Sequence, residues 1–357
     1  MSTINLDDLD IYPCIDPSNM LRHLHDIPAL CSRAWEQAQH MPLPQDYCQV
    51  DKVIMLGMGG SAIGGDLLAG LAANECRVPV FINREYSSPA FLDDNTLVIA
   101  SSYSGMTEET LSAFKPLINH SCKKIIMTSG GKLAALAKEH AIPAFIIDYQ
   151  APPRATLPLS FLALLGIFCR LGLLLDKSTD FTEACDVLHY YSQQLNESTP
   201  EEHNQAKQLA RSLHDKMAVI YGAEHLSEVA GRWRLQINEN AKAWAFNAAF
   251  PELNHNATTG YEFPVGISQN THVVMLRCTN LHPRVLLRYD ITSRILDKAG
   301  ISYTVLDAKG QSKLAQVLSL VLFGDYVSYY LALLYGIDPY PIKAVDYLKA
   351  ELTNTYT

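Results

Sequence analysis

Short apolar runs alternate with longer helical patterns between residues 52 and 147. Five runs rich in valine, isoleucine and leucine predict β-strands, at 52–56, 78–82, 97–100, 124–128 and 144–147. Three intervening stretches have the hydrophobic spacing of helices, at 61–72, 108–117 and 132–140. This alternation predicts a doubly wound parallel sheet with helices on both faces, which is an α/β fold.

The same alternation of predicted strands and helices occurs in the second half of the chain. Strands are predicted at 217–221, 272–276 and 302–306, with helices from about residue 226 and over 283–298. Two copies of one α/β unit, each an αβα sandwich, account for this repeat. The predicted domains are an N-terminal helical extension (1–40), a first unit (41–175), a helical connector (176–211), a second unit (212–337) and a C-terminal helix (338–357).

Two longer apolar stretches, 157–175 and 317–337, have compositions near that of a membrane helix. The first is interrupted by Arg170 and the second contains Asp325. Since charged residues are costly in a bilayer, both are interpreted as buried helices of a large core. The first ten residues include three aspartates and no basic residue, so no signal peptide is predicted. We predict a soluble, cytoplasmic protein with no membrane partner.

Charge and cysteine usage narrow the class of partner. Lys and Arg total 28 against 37 Asp and Glu, which gives a net charge of −9. Nucleic-acid binders are normally basic, so a small solute is the better-matched partner. The eight cysteines include no Cys-x-x-Cys pair, which favours reduced thiols over disulfides or a zinc site. No bound metal is predicted.

Glycine- and hydroxyl-rich loops follow two of the predicted strands. The first strand continues into Gly-Met-Gly-Gly-Ser-Ala-Ile-Gly-Gly-Asp at 57–66, and the third into Ser-Ser-Tyr-Ser-Gly-Met-Thr at 101–107. A strand, a small-residue loop and a helix start together place bare backbone N–H groups at the positive end of the helix. Such loops bind anions, most often phosphate. Two of them on neighbouring strands can hold one phosphate from two sides.

The first loop alone leaves three interpretations open. Its Gly-Met-Gly-Gly-Ser-Ala order at 57–62 fits the loose dinucleotide pattern, which also needs an acidic residue about twenty positions later. Glu85 comes late for that role, and Arg84 favours a phosphate group. No Gly-Lys-Ser/Thr follows, so a Walker loop is excluded. Glycines that only permit close strand–helix packing are the simplest alternative.

The second loop favours a sugar phosphate over a dinucleotide. Ser102, Ser104 and Thr107 alternate around Gly105 just before a helix start. Thr107 alone is better explained as an N-cap, but Ser61 on the neighbouring strand adds a further hydroxyl to the cluster. A sugar-phosphate pocket uses such a cluster, and a dinucleotide site does not need it. The predicted phosphate ligands are Gly59, Gly60, Ser61, Ser102, Ser104 and Thr107.

The second α/β unit lacks this chemistry at the matching places. Its loops read Gly-Ala-Glu-His at 222–225 and Arg-Cys-Thr-Asn at 277–280. We therefore expect one phosphate site per chain, in the first unit.

Five segments together resemble one family of sugar isomerases. Residues 57–66 and the Ser-x-Ser-Gly-x-Thr segment at 102–107 look like the first half of a sugar isomerase (SIS) domain. With Pro-Pro-Arg (152–154), Asn-Glu-Asn-Ala-Lys (238–242) and Pro-Glu-Leu-Asn-His-Asn (251–256), the chain resembles the bifunctional phosphoglucose/phosphomannose isomerase family. The resemblance implies two SIS-type domains and a cofactor-free aldose–ketose isomerase. Its implied substrates are glucose 6-phosphate and fructose 6-phosphate, with mannose 6-phosphate as a further one.

The implied reaction moves a proton between C1 and C2 through an enediol. It needs a base that reaches both carbons and a cation near the enediolate oxygen. By its place in the motif, Glu239 is the implied base, and the flanking Trp233 and Trp244 are expected to desolvate its carboxylate. A surface carboxylate paired with Lys242 or Arg234 is the alternative.

Three further residues take their roles from the resemblance. Arg154 matches the arginine that stabilises the enediolate, with a pairing to Asp148 or to a helix C-terminus as its alternative. His255 matches the histidine that opens the sugar ring and enters from the partner subunit, which implies a homodimer. Lys349 fits the lysine that assists it. Lys343, six residues earlier, lies about 240° round the helix, so both cannot face one pocket.

Two positions depart from the family pattern. Met106 stands where the family has a polar residue. Tyr340 is too bulky to be assigned as the hydroxyl that the family uses to accept both C2 epimers.

Two rival functions are compatible with the loops. A sugar-phosphate sensor without catalysis would need only the two loops, and an NAD-binding enzyme would use the first of them. The joint presence of Glu239, Arg154 and Lys349 favours the isomerase.

Overall fold

The first five strands form one parallel sheet. The computed structural model describes residues 4–355. The strands of this sheet are β1 (Lys52–Leu56), β2 (Val80–Asn83), β3 (Thr96–Ser101), β4 (Lys123–Thr128) and β5 (Ala144–Ile146). Their spatial order is β2-β1-β3-β4-β5, so β1 and β3 are central neighbours. Both central strands are almost entirely buried, which explains why they read as unbroken apolar runs.

A second parallel sheet has four strands. These are β6 (Met217–Ala223), β7 (Ala245–Phe250), β8 (Thr271–Arg277) and β9 (Ser302–Asp307), in the order β7-β6-β8-β9. The predicted α/β fold with two parallel sheets is confirmed. The strand β7 was not predicted, because Ala-Phe-Asn-Ala-Ala-Phe has no β-branched residue. Its extended form comes from pairing with β6 at the sheet edge.

Thirteen α-helices are present between residues 4 and 355, and they cover the faces of both sheets. They are α1 (Ile11–Ile15), α2 (Met20–His25), α3 (Ile27–His40), α4 (Gly59–Ala72), α5 (Glu108–Phe114), α6 (Gly131–Glu139), α7 (Leu157–Arg170), α8 (Ser178–Leu195), α9 (Gln205–Leu213), α10 (Ser227–Gln236), α11 (Pro283–Ala299), α12 (Lys313–Leu334) and α13 (Lys343–Thr355). The predicted helices thus occur within a few residues of their expected bounds. A single π-helical turn, Ile237–Ala241, extends α10.

The two membrane-like stretches are core helices, as predicted. In α7 every residue from Leu157 to Phe168 is buried, and in α12 every residue from Leu314 to Leu334 is. The helix α12 is long and apolar enough to cross a bilayer, yet its apolar window lies wholly inside the protein. It packs against α8, α9 and α10, and α7 packs against α3 and α4. All eight cysteines are free thiols.

Candidate active site

The first glycine loop leaves β1 and becomes a helix at once. Helix α4 begins at Gly59, whose φ of +48° lies in the left-handed region that glycine adopts without strain. The N-cap residue Met58 makes no side-chain capping hydrogen bond with any described residue. The backbone N–H groups of Ser61 and Ala62 donate to Met58 O at 3.0 and 3.3 Å, which leaves those of Gly59 and Gly60 to an anion.

The loop glycines divide into two groups by what surrounds them. A Cβ on Gly64 would lie 2.9 Å from Ser160 Oγ, and one on Gly65 would lie 2.5 Å from Met55 Sδ, so these two permit helix packing. A Cβ on Gly60 would instead lie 3.1 Å from the carbonyl oxygen of Pro153 and 3.2 Å from the backbone N of Arg154. The packing alternative thus explains the end of the motif, and its start lies directly against the predicted arginine.

Three hydroxyls of the two loops lie together at the ends of β1 and β3. Ser61 Oγ accepts a hydrogen bond from the backbone N of Tyr103 at 3.1 Å. Ser102 Oγ and Thr107 Oγ1 are 2.7 Å apart. Thr107 is the N-cap residue of α5, as its alternative role predicts, but its hydroxyl makes no capping hydrogen bond in the described chain. Ser104 is exposed, and its Oγ accepts from the backbone N of Met106 at 3.2 Å.

A close backbone approach fixes the second loop. Gly105 has a φ of +64°, and a Cβ there would lie 1.9 Å from the carbonyl oxygen of Gly130. The backbone N of Leu133 donates to Gly105 O at 3.1 Å, and that of Ser129 donates to Tyr103 O at 2.8 Å. Only glycine fits at position 105, so the hydroxyls on either side of it are held rigidly.

Arg154 is buried at the interface between the two α/β units. It follows Pro153 in a short 3-10 helix, and only 1% of its side chain is exposed. Its Nε donates to Asn240 Oδ1 at 2.6 Å, and its Nη2 donates to the carbonyl oxygens of Pro339 and Tyr340 at 2.8 and 2.7 Å. Its Nη1 is buried and has no hydrogen-bond partner within residues 4–355. The proposed pairing with Asp148 is not what the structure shows.

Glu239 lies on the π-helical turn that extends α10. Its Oε2 is 3.7 Å from Arg154 Nη1, and 26% of its side chain is exposed. Burial lowers the pKa of Arg154, and the nearby Glu239 carboxylate acts in the opposite direction. The two tryptophans do not enclose the carboxylate as predicted: Trp233 is buried against Phe323, and Trp244 is 78% exposed.

The two alternative cations for Glu239 have other partners. Lys242 Nζ donates to the carbonyl oxygens of Asn240, Asp338 and Pro339 at 3.1, 2.9 and 3.0 Å. Partial burial of this ammonium, with Arg154 nearby, lowers the pKa of Lys242 to about 8. Arg234 Nε donates to Asn247 Oδ1 at 2.9 Å. The ion-pair partner of Glu239 in the described chain is therefore Arg154, a buried cation rather than a surface one.

Arg84, which follows β2, forms an ion pair with Asp66 on α4. Its guanidinium therefore has a partner within the first α/β unit. The dinucleotide interpretation of the first loop remains an alternative for experiment.

His255 lies away from the other predicted residues. It ends a 3-10 helix (Glu252–His255) and is exposed, and its imidazole makes no hydrogen bond with another described residue. Its neighbour Asn254 is anchored to α11, donating to Thr292 Oγ1 at 2.9 Å and accepting from Arg288 Nη1 at 3.2 Å. The loop is thus held in place while the imidazole is presented on the surface of the subunit.

The C-terminal helix α13 is exposed along its length from Lys343 to Asn354. Lys343, its first residue, lines a cleft of about 720 Å³ together with Glu239 and Lys242, and Lys349 is not part of that lining. Four apolar side chains of α13 are exposed, namely Val345, Tyr347, Leu348 and Leu352. Both lysines are exposed in this chain, and of the two it is Lys343 that shares a cleft with Glu239.

Sequence reasoning missed the residues that surround Arg154. Asn240 and Arg232 contact it directly, and Asp325 on α12 binds Arg232 through an ion pair of 3.0 Å. The sequence signal for this network was Asp325, a charged residue in an otherwise apolar helix.

Tyr103 lies between the phosphate-loop serines and donates to Tyr149 O at 2.7 Å.

The N-terminal segment also reaches this region. His23 Nδ1 is 2.6 Å from Tyr149 Oη, which donates to Asp26 Oδ2 at 2.8 Å. The ring centroids of His23 and Tyr340 are 6.3 Å apart. His25, two residues later, binds Glu197 instead, so this His-x-His pair does not converge on one metal. Across residues 4–355 the structure contains no group of three His, Cys, Asp or Glu side chains that could hold a metal ion.

The matching loops of the second unit carry other side chains. His225 and Cys278 are both buried, and their Nε2 and Sγ atoms are 3.7 Å apart. Burial raises the pKa of the Cys278 thiol to about 11 and lowers that of His225. Glu224 is exposed, and Arg277 forms an ion pair with Asp307. One phosphate site per chain stays a prediction.

The fold and the paired loops define the class of protein. A protein of the same fold is a hypothetical protein from Thermus thermophilus, 18% identical, with a TM-score of 0.73 over 98% of this chain and 93% of that one. Another is the C-terminal domain of glucosamine-fructose-6-phosphate aminotransferase from Francisella tularensis, 16% identical, with a TM-score of 0.70 over 90% and 98%. The family described as the bacterial phospho-glucose isomerase C-terminal SIS domain matches residues 202–352. The chain is thus a protein of two α/β domains, of which the second matches an SIS domain.

Whole-chain similarity identifies the family. The bifunctional phosphoglucose/phosphomannose isomerase of Caldicellulosiruptor bescii is 40% identical over 334 residues, which cover 93% of this chain and 98% of that protein. This chain belongs to the bifunctional phosphoglucose/phosphomannose isomerase family, and the predicted resemblance is confirmed.

Proposed function

We propose that this protein interconverts glucose 6-phosphate and fructose 6-phosphate, and also accepts mannose 6-phosphate. The observation that carries the proposal is the pair formed by Glu239 and Arg154. A carboxylate lies 3.7 Å from a buried guanidinium nitrogen that has no other partner in the described chain. The backbone of that arginine in turn lies against Gly60 of the phosphate loop.

The phosphate end of the substrate binds at the loops. The backbone N–H groups at Gly59 and Gly60 and the hydroxyls of Ser61, Ser102 and Thr107 supply donors at the start of α4 and beside it, with Ser104 at the exposed rim. Anchoring the phosphate there fixes the sugar chain relative to Arg154, and such orientation lowers the barrier to reaction.

The proton moves at the other end of the sugar. The Glu239 carboxylate removes the C2 proton of the open-chain aldose, and that electron pair forms the C1–C2 double bond while O1 becomes an enediolate oxygen. The same carboxyl group returns the proton to C1, and the O2 proton moves to O1 as the C2 carbonyl forms. C2 is oxidised and C1 reduced within one molecule, so the reaction balances without a cofactor.

Arg154 stabilises the intermediate. Its Nη1 is the donor that can meet the enediolate oxygen, because Nε and Nη2 are already held by Asn240, Pro339 and Tyr340. A preorganised cation in a buried site stabilises developing negative charge more strongly than one in water.

We further propose that the active unit is a homodimer. His255 is exposed on an anchored loop, and α13 exposes four apolar side chains that one subunit leaves uncovered. In this proposal His255 enters the site of the partner subunit and opens the sugar ring, and Lys349 assists it once a second copy covers α13. The site of a single chain is then incomplete.

A coupled assay with glucose 6-phosphate and mannose 6-phosphate tests the activity. We expect turnover of both, and in D₂O we expect deuterium at C2 of the aldose and C1 of the ketose, since the proton passes through a carboxyl group that exchanges with solvent. Phosphate binding without turnover of any hexose 6-phosphate would instead indicate a sensor. A fluorescence titration in which NAD binds tightly would favour the dinucleotide alternative.

A further inference from the structure

Asn240 links the base and the cation of the proposed site. It follows Glu239 on the π-helical turn Ile237–Ala241. Its Oδ1 accepts from Arg154 Nε at 2.6 Å, and its Nδ2 donates to Ser328 Oγ at 3.0 Å. Asn240 and Ser328 are 0% exposed and Arg154 is 1% exposed, so water does not replace these bonds.

Ser328 determines which way the Asn240 amide points. The Ser328 hydroxyl donates its proton to the carbonyl oxygen of Asp325 at 2.9 Å. A hydroxyl has one proton, so toward Asn240 it offers a lone pair, which only the amide NH₂ can use. The amide oxygen therefore faces Arg154, where an NH₂ group would meet another donor.

The same face of α12 holds Arg154 at a second point. Asp325, one turn before Ser328, accepts from Arg232 Nη2 at 3.0 Å and from Gln236 Nε2 at 2.9 Å. That Arg232 nitrogen also donates to the backbone oxygen of Arg154 at 2.8 Å. Two polar residues in the most deeply buried helix thus secure both the backbone and the side chain of one arginine.

We propose that Asn240 is a positioning residue that keeps Nη1 of Arg154 aimed at the enediolate oxygen, with Ser328 orienting its amide. This inference rests on the proposed function for the reaction it serves. Without the Asn240 oxygen, Nε loses its buried acceptor, while the Glu239 carboxylate lies 3.7 Å from Nη1 of the same guanidinium. The guanidinium then turns to pair with the base, which occupies both groups and removes the free donor.

A double-mutant cycle in the full-length protein tests this. Turnover of fructose 6-phosphate is measured for wild type, N240A, R154Q and the double variant. We expect N240A to lower kcat about 10- to 100-fold, the size of a lost hydrogen bond to a charged group, with KM and the Ki of inorganic phosphate within about twofold. Because Asn240 acts through Arg154, the double variant should be no slower than R154Q.

Matched controls separate positioning from folding. Asn247, an exposed residue of the edge strand β7, makes the same Oδ1–Nε contact with Arg234 of α10, so N247A should leave kcat unchanged. If N240A does not fold, S328A takes its place, with an expected loss of about 3- to 10-fold that is again absent in the R154Q background. Effects that multiply in the double variant, or a change in KM alone, would overturn the inference.

Failure of the proposed function is distinguishable from failure of this inference. Wild-type protein that turns over no hexose 6-phosphate contradicts the function itself. The inference is then decided by the crystal structure of N240A. An Arg154 side chain turned to within hydrogen-bond distance of Glu239 supports the inference, and an unmoved guanidinium overturns it.

Discussion

Nη1 of Arg154 and Oε2 of Glu239 lie 3.7 Å apart, within ion-pair range but beyond hydrogen-bond distance. Each group therefore keeps its hydrogen-bonding capacity toward a third group placed between or above them. A direct hydrogen bond between them would use the free donor of Arg154 and would also occupy the Glu239 carboxylate, the base of the proposed reaction.

Replacing Glu239 by Gln should remove turnover and preserve binding. The amide has the shape of the carboxylate but cannot accept the C2 proton, so we expect kcat to fall about 10³-fold. The Ki of inorganic phosphate should stay within about twofold, because the loops are unchanged. Turnover near the wild-type rate would rule out Glu239 as the base.

Replacing Thr107 by Val should weaken phosphate binding more than stability. The valine keeps the shape and loses one hydroxyl donor, so we expect KM and phosphate Ki to rise about tenfold. The Thr107 hydroxyl does not cap α5 in the described chain, so unfolding free energy should fall by no more than about 1 kcal/mol. T182V, on the distant helix α8, is the control for an exposed threonine. An unchanged Ki in T107V would remove Thr107 from the phosphate site.

Mixing two inactive variants tests whether His255 crosses the dimer interface. If His255 serves the partner, both defects of an E239Q–H255A mixed dimer fall in the same site, which leaves the other site intact. Random pairing makes half of the dimers mixed, so activity should recover to about a quarter of wild type. Recovery should depend on subunit exchange and be absent when E239Q is mixed with R154Q. No recovery after verified exchange would place His255 in its own subunit's site.

Paired lysine variants decide which residue of α13 assists ring opening. We expect K349M to lower kcat about 100-fold with the ring form of glucose 6-phosphate and K343M to change it less than threefold. Both side chains are exposed in a single chain, so each variant should fold, and gel filtration checks that it still forms the proposed dimer. The reverse ranking would move the role to Lys343, which lines the cleft beside Glu239.

His272 should make the protein sensitive to mild acid. It is buried between the hydroxyls of Ser302 and Thr304, and burial lowers its pKa from 6.5 to about 4. Between these values the unfolded chain binds more protons than the folded one, so unfolding free energy falls as pH drops from 6.5 toward 4, by about 3 kcal/mol at most. Above pH 6.5 the group is neutral in both states and contributes no slope.

Urea unfolding at pH 4.5, 5.5 and 6.5 checks this contribution. The wild type should lose stability relative to H272Q as pH falls, since glutamine does not titrate. H203Q, at a histidine with 72% of its side chain exposed, should follow the wild type. Parallel curves for wild type and H272Q would contradict the depressed pKa.

The sequence predicted the parts of the fold that depend on local pattern. The strands β1 and β3 are apolar on both faces because helices cover both sides of the sheet, and this pattern is visible in the chain. The strand β7 escaped prediction because its backbone pairing with β6, not its composition, makes it extended. The π-helical turn at Glu239 likewise has no signature in composition.

The sequence predicted which residues carry the proposed chemistry, but it did not predict the hydrogen-bond network that holds them. Arg154 and Glu239 were found through the motifs that contain them. The bonds that hold Arg154 join residues 86 and 186 positions apart, and no local periodicity encodes such contacts. Local sequence pattern likewise does not show where the His255 imidazole acts, because its proposed partner is another chain.

The contact between Gly60 and the backbone of Arg154 fixes one dimension of the proposed site. It joins the first turn of α4 to the residue whose guanidinium lies 3.7 Å from Glu239. With the phosphate bound at that turn as proposed, a sugar one carbon shorter would leave its carbonyl short of Nη1. A Cβ at position 60 would lie 3.1 Å from the carbonyl oxygen of Pro153, so that backbone would have to shift by a few tenths of an ångström. Chain length would then be the property by which the proposed site selects among phosphorylated sugars.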